Sequence, residues 1–600
     1  MAAGYLFCYP AKQCRRLFGS KINHHQITHT MKTSVKLLLI LMLLMTKATA
    51  QTPGWQWLSR VGGYSGNGNG AGGPDEWVKD IKTDAQGNVY VCGRVCYGAN
   101  FNGDTMTTYQ GYFSLFMAKL NCAGDLVWVK TAGTAAFNSM EAYGLALDNY
   151  GNIYLTGYLI AYPFNPTQLF DTLIAEDTND FFLAKFDTSG NFKWAKIAGP
   201  GQGILGTRGF KIQITDDDMI NVSGVGGSSG IFFPGYNFNY SWCFAARFDT
   251  SGNINRFQNL GSVYGPIMND YKISPTGDQY ITGFFNSDSM VIGDTTLYKI
   301  TTVAGASDLF LTKFDSSGNF KWVKQISDSV PSGNQGYGIS FDPPNILLVG
   351  AINASVTFDG FSFINNYDTS IYSNFPFIAK FNPSGNCIWA TNSHHKYVTR
   401  ATGGITTLSN GVSYYSGFFS GPAKFGTDSL SSNVLTDIFL AEVSPSGVIT
   451  SGTKITSMGG GDEPQCMTHD SSGNVYIGGS YESILSINGV NYPFEGGESD
   501  GFIAKWGTNC TVGIAEQEAL LKENLFLFPN PATTEIKIQC KEQQIVTIEI
   551  YDMVGKKIIY KQVSGKEPIV QIDVSSFSPG MYVVKANGKT NMLTAKFVKE

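Results

Sequence analysis

Residues 54–63 read GWQWLSRVGG. The string parallels NFKWAKIAG at 191–199, with Trp57 in the place of Trp194. There it completes a longer string, FDTSGNFKWAK (186–196), which returns as FDSSGNFKWVK (314–324) with nine of eleven positions identical. A catalytic motif needs one copy, whereas a repeated structural unit needs many. The fragment at 54–63 is therefore a piece of a repeat standing apart from its unit, and it asks where that unit's remainder lies.

An apolar string precedes each copy: LFMAKLN (115–121), FFLAKFD (181–187), CFAARFD (243–249), LFLTKFD (309–315), PFIAKFN (376–382), IFLAEVS (438–444) and GFIAKWG (501–507). The Lys or its replacement falls at 119, 185, 247, 313, 380, 442 and 505, in steps of 62 to 67 residues. A second series, such as NVYVCG (88–93) and NIYLTG (152–157), ends in Gly at 93, 157, 224, 283, 350, 417 and 479. Unit two reads as four strands: YGLALD, NIYLTGYL, FFLAKFD and NFKWAKIAG. DNYGN (148–152) and DTSGN (187–191) are its hairpin turns, Asp bonding the backbone two residues on and Gly supplying the left-handed conformation. Strands apolar on both alternations suit sheets covered on both faces. Unit seven ends at GFIAKWGTNC (501–510) without its last strand, and 54–63 supplies that strand. The expectation is an all-β chain: a seven-bladed β-propeller over 51–510, closed by an N-terminal strand.

The D-x-F-x-A-K-F-D-x-x-G-N-x-x-W pattern resembles the SBBP β-propeller repeat of exported bacterial proteins. Units two and four fit, with Asp180 and Asp308. Unit three departs with Arg256 in place of Trp, and unit six, GVITSG (447–452), lacks the Trp. The resemblance implies the fold and says little about activity.

Composition agrees. Charged residues are 15%, with 69 Gly, 41 Phe and 30 Tyr, a mixture for short strands and tight turns. A formal charge of −5 gives no basic footprint for nucleic acid. Residues 31–50, MKTSVKLLLILMLLMTKATA, carry Lys32 and Lys36, an apolar core and Ala48-Thr49-Ala50. They read as a signal peptide cleaved between Ala50 and Gln51. Residues 1–30 then read as an over-long start, the alternative being a signal-anchor with a cytoplasmic tail. The apolar core is too short to span a bilayer, so no transmembrane segment is expected in the mature chain. Eight Cys remain beyond Gln51. A domain of this size does not depend on disulfide staples, and Cys92 and Cys96 read as buried thiols.

Residues 511–524 read as a polar linker, and 525–600 as a small Ig-like β-sandwich of short alternating strands. This stretch resembles the C-terminal sorting domain of the type IX secretion system of Bacteroidota. The resemblance rests on Phe528-Pro529-Asn530-Pro531, Tyr551-Asp552 with Val554-Gly555-Lys556, Ile572-Asp573-Val574-Ser575 and Pro579-Gly580-Met581-Tyr582. Its motif positions are Pro529, Asn530, Pro531, Gly555, Asp573, Gly580 and Tyr582. It implies export across both membranes, the secretion machinery as partner, and a protein then released or held at the cell surface.

No catalytic, cofactor or metal residues are assigned. GPGQGILG (199–206) has Gly-x-Gly-x-x-Gly, but RGFKIQI after it is a strand, not the helix a dinucleotide needs. SGNGNGAGG (65–73) lacks the Lys of a phosphate loop. Asp216, Asp217 and Asp218 sit in a turn slot, where three consecutive side chains cannot converge on one calcium. His394, His395 and His469 lack zinc spacing. In IFFPGYNFNYSW (231–242), Tyr236, Phe238, Tyr240 and Trp242 fall on alternate residues. They form either a sugar-stacking platform or, as we favour, a face packed on blade four. The reading is a non-enzymatic binding or scaffold propeller of the cell surface or medium, with a glycan or surface protein as ligand. The alternative is a hydrolase or lyase acting on polysaccharide, which three or more acidic or basic side chains in one central funnel would favour.

Overall fold

The computed structural model describes residues 52–600 except 64–74, 109–112, 134–138, 161–166, 170–172, 176–179, 199–206, 227–230, 234–235, 239–242, 262–265, 301–305, 328–332, 353–355, 364–374, 396–398, 433–434, 511–524, 541–544, 553–555, 564–568 and 589–591. The expectations for residues 1–51, including the cleavage pair Ala50 and Gln51, lie outside the described residues, as do those for 65–73, 199–206 and the linker.

Strands make up the regular structure of the described residues. Seven antiparallel sheets follow one another along the chain, five of four strands and two of six, in which a link hairpin of the neighbouring unit adds two strands to the four. Their first strands are Trp77–Thr83, Ser139–Leu147, Arg208–Ile214, Pro266–Ile273, Gln335–Asp342, Thr399–Thr407 and Glu463–His469. Each lies against the first strand of the next sheet, and the seventh lies against the first. Sheets arranged in this way are the blades of a β-propeller. The seventh sheet takes its outer strand from the other end of the chain: Gly54–Gly62 runs antiparallel to Asp500–Gly507, from Gly54 opposite Gly507 to Val61 opposite Gly501.

The turns behave as the sequence predicts. Asp187 Oδ1 accepts from the N–H groups of Ser189 (3.0 Å) and Asn191 (2.9 Å), and Gly190 takes φ +74°. Asp218 stands in the glycine slot of its turn with φ 58°. Asp217 pairs with Arg247 and accepts from Thr215 Oγ1.

The repeated Trp joins one sheet to the next. Nε1 of Trp57, Trp194, Trp322 and Trp389 donates to the carbonyl of Cys122, Thr250, Pro383 and Pro445 respectively, at 3.1–3.2 Å. Each acceptor is the second residue of the next sheet's outer turn. The turn glycine packs on the indole, as Gly252 does on Trp194 and Gly124 on Trp57. Arg256 keeps this arrangement without the ring, Nη1 donating to Ser316 O at 2.8 Å. The sixth sheet has Ser451 at this position, opposite Glu442. The sheet that follows it has no outer turn, because its outer strand is Gly54–Gly62, so an indole there would have no turn to cover.

The glycine series has an equally local cause. Every first strand carries a β-bulge. In six sheets one residue is extra: Lys79, Tyr143, Phe210, Asn269, Tyr337 or Gln465. In the sixth sheet, residues 401–403 face Gly417. The bulge pushes a first-strand carbonyl onto the second strand at Gly93, Gly157, Gly224, Gly283, Gly350, Gly417 and Gly479. A Cβ added at any of these would come within 2.4 Å of that oxygen.

Two features go beyond the sequence reading. The second-to-third-strand links contain small hairpins, and several clasp the preceding sheet: Phe101 pairs with Val61, and Ser486 with Thr456. Second, Cys122 and Cys510 form a disulfide, Cα–Cα 5.7 Å, across a separation of 388 residues. The sequence reading leaves the pairing of these cysteines open. Cys122 occupies the turn position that receives Trp57, and Cys510 follows the strand beside Trp57, so ring closure itself brings the thiols together. A loop that long places the chain-entropy ceiling near ~6 kcal/mol, against about 2–4 typically realised. Cys92 and Cys96 are buried thiols, burial pushing Cys96 up to about 12.

The C-terminal residues form a three-stranded and a four-stranded sheet. Ile536, Ile538, Val570 and Ile572 of the first share a buried core with Ile548, Ile550, Val584 and Phe597 of the second. The pair is a small β-sandwich.

Candidate functional site

The seven bulges meet at one end of the central channel. A cavity of about 330 Å³ there is lined by Lys79, Tyr143, Phe210, Asn269, Tyr337, Thr402 and Gln465. Each of the seven sheets contributes one of these residues. The same irregularity that demands the glycines thus turns a side chain into the opening. Glu463, Lys211, Ile267 and Met268 complete the wall.

This mouth is electrostatically perturbed. Lys79 Nζ lies 3.5 Å from the centre of the Trp77 ring and 5.4 Å from that of Tyr143. Burial pulls Lys79 down to about 7, against the opposing pull of Glu141. Burial raises Glu463, with Lys79 and Arg400 acting against it. Behind Lys79, Arg94 pairs with Asp75 and, at 3.0 Å, with Glu141. Tyr158 Oη donates to Glu141 at 2.6 Å. Glu76 is fully buried, and burial followed by the charge of Asp500 pushes it up to about 8.

A pH dependence follows from Glu76. Its folded value lies above the ordinary 4.5, so its stabilising proton is fully held below about 4.5 and lost as pH rises through about 8. Glu76→Gln carries no such penalty. Its unfolding free energy is expected to match wild type near pH 4.5 and to exceed it increasingly towards pH 8, by up to about a few kcal/mol, as read by urea denaturation across pH. A gap that stays constant with pH would contradict this.

Deeper in, the channel widens into a cavity of about 410 Å³ whose wall includes Asp80, Lys82, Lys211, Asp270, Lys272 and His469. More than three charged side chains therefore share one funnel, the condition set for the enzymatic alternative. Two of them hold the ring together. Asp80 Oδ2 accepts from Leu145 N–H of the second sheet at 2.9 Å, and Asp270 Oδ2 from Ile339 N–H of the fifth at 2.8 Å. Burial alone would raise Asp80, but the charges of Lys82 and Lys211 and the hydrogen bonds from Lys82 and Leu145 bring it below the usual carboxylate range. His469 Nδ1 lies 2.7 Å from Thr406 Oγ1, and burial lowers its pKa.

Of the aromatic series, Tyr236 and Phe238 lie in the hairpin Ile231–Phe233/Tyr236–Phe238. Tyr240 and Trp242 are outside the described residues. Strand Ile231–Phe233 runs beside Phe192–Ala198 of the second sheet. His394 and His395 form a short strand beside Ala423 and Lys424. The mouth itself carried one sequence signal: a glycine in strand two marks a bulge opposite it.

In the sorting stretch, Asn530, between Pro529 and Pro531, fixes the last strand. It accepts from Val598 N–H at 2.9 Å and donates to Lys596 O at 3.2 Å. Asp573 accepts from Ser575 N–H and Oγ, which lowers its pKa. Tyr582 Oη donates to Ser578 O at 2.8 Å, and Gly580 pairs with Lys599. Gly555 lies outside the described residues.

Residues 526–600 match the family model described as the secretion system C-terminal sorting domain, and residues 127–165 match that of the β-propeller repeat SBBP. The sorting domain marks the chain for export to the cell surface or extracellular space and implies interaction with the secretion machinery. Among the described residues no helix is long and apolar enough to cross a membrane. An uncharacterized WD repeat-containing protein, L264, of Acanthamoeba polyphaga mimivirus is 23% identical over 436 residues, covering 57% of this chain and 30% of that protein. The chain thus spans about 30% of that curated relative's length. Among solved structures, a Synechocystis apocarotenoid oxygenase mutant superposes with TM-score 0.32 at 10% identity, covering 84% of this chain and 97% of that one. A gluconolactonase of Xanthomonas campestris gives 0.24 at 9% identity, covering 55% and 82%.

Proposed function

We propose that this chain is an exported, non-catalytic binding propeller whose ligand enters the mouth ringed by the seven bulge residues. The observation that carries the reading is the convergence of Tyr143, Phe210 and Tyr337 with Lys79, Asn269, Thr402 and Gln465 on one opening. Aromatic faces interleaved with amide, hydroxyl and amine groups suit a polyhydroxylated ligand, and a glycan is the class proposed. A Sec-type leader ending at Ala50, and release or surface attachment through the sorting domain, belong to the same proposal.

The test is a glycan array probed with the exported chain, followed by analysis of the bound sugars. Binding without product is expected. Tyr337→Ala and Asn269→Ala are each expected to weaken it about tenfold with the melting curve preserved. An unchanged affinity in both variants would remove the mouth from consideration. The alternative, a polysaccharide hydrolase or lyase, is favoured by the charged groups gathered in the channel, and new reducing or unsaturated ends would establish it.

A further inference from the structure

A cavity of about 490 Å³ lies away from the mouth, between the turns of the third and fourth sheets. It opens where the Trp pattern fails. In the first, second, fourth, fifth and seventh sheets, Lys faces Trp across the third and fourth strands, as Lys185 faces Trp194. In the third sheet Arg247 faces Arg256 directly. Like charges directly opposed across strands repel, and both guanidinium groups are half-buried. Burial lowers the pKa of Arg256, with Tyr271 opposing and Arg247 adding to the fall. Arg247 Nε is buried with no hydrogen-bond partner. Its Nη2 meets Asp217, whose side chain is 55% exposed at the rim.

Two guanidinium groups lining one cavity form an arrangement that can receive an oxyanion, because Arg presents its donors in a fixed fork. The rest of the wall carries the amides and hydroxyls of Gln213, Asn221, Ser274, Thr276 and Gln279, which also bond within the protein, and the exposed Asp216 and Asp217. The volume falls within the ~300–1,000 Å³ of small-molecule sites.

We propose that this groove is a second binding site, specific for an oxyanion carried on a sugar ring, with Arg247 and Arg256 holding the anionic group and the amides and hydroxyls reading the ring.

The test is isothermal titration of the full exported chain with galacturonate, N-acetylglucosamine 6-sulfate and neutral galactose. At least one acidic sugar is expected to bind ten times or more tightly than galactose, and more weakly as salt is added. Preference for the uronate or the sulfate identifies the anion. Arg256→Trp restores the residue used at the neighbouring interfaces, so it is expected to fill the groove, keep or raise the melting temperature and abolish this binding. Arg247→Lys restores the other half of the usual pair and is expected to weaken binding about fivefold to tenfold. It decides the matter if the Trp variant does not fold. No binding of either acidic sugar, equal binding of galactose, or undiminished binding by a folded variant would overturn the proposal.

Discussion

Deleting residues 51–63 is expected to leave a chain without a cooperative melting transition for the ring. Strand Gly54–Gly62 covers the whole length of Asp500–Gly507, and Trp55 and Leu58 are buried in a core shared with Ile438, Ile477 and Phe502. Without it the seventh sheet ends in an open edge, and the first sheet's outer turn loses Trp57. The milder Trp57→Ala keeps the strand and removes its anchor, including the bond to Cys122 O and the packing on Gly124. Its expected cost is about 3 kcal/mol. Scanning calorimetry checks both, and a deletion variant that melts as wild type does would refute closure by this strand.

Gly157→Ala is expected to destabilise the ring by about 3 kcal/mol, at the upper end for overpacking, because the clash is with backbone. The new Cβ meets Glu141 O and lies 2.9 Å from the Phe182 ring. Glu141 and the extra residue Tyr143 both serve the mouth, so relief of the clash also moves that wall. Gly54→Ala is the control: nothing lies within 4 Å of its Cβ, and it is expected to be neutral. Urea denaturation measures both. Equal midpoints for the two variants would mean that the bulge does not need its glycine.

The number of sheets, their four strands and the displaced closing strand were legible because each rests on local chemistry repeated seven times. Asp187 and Gly190 specify a turn wherever they occur, and an apolar run such as FFLAKFD can only be covered on both faces. The glycine series was visible, but its cause was not, since the opposing carbonyl belongs to a strand about 16 residues earlier and meets it only through a bulge. The mouth was hidden for the same reason: its residues are unlike one another, and only pairing register brings them to one ring. The Cys122–Cys510 bond was illegible because two thiols 388 positions apart carry no spacing signal. The Arg256 departure was seen at once, yet the cavity behind it depends on the size of a neighbour that is not there.

Closure also sets a clock. Trp57 emerges about 450 residues before Lys505, the residue it pairs with. At ~5–20 residues per second, that is roughly 20 to 90 s of synthesis. Throughout that interval the first strand has an unpaired edge and apolar side chains with nowhere to go. The other six sheets each have all their strands within one stretch of chain, so they can assemble in turn while the first strand waits. The seventh can form only after its last internal strand appears. The sorting domain lies beyond that strand in the chain, so this signal for passage is made only after everything the ring needs in order to close.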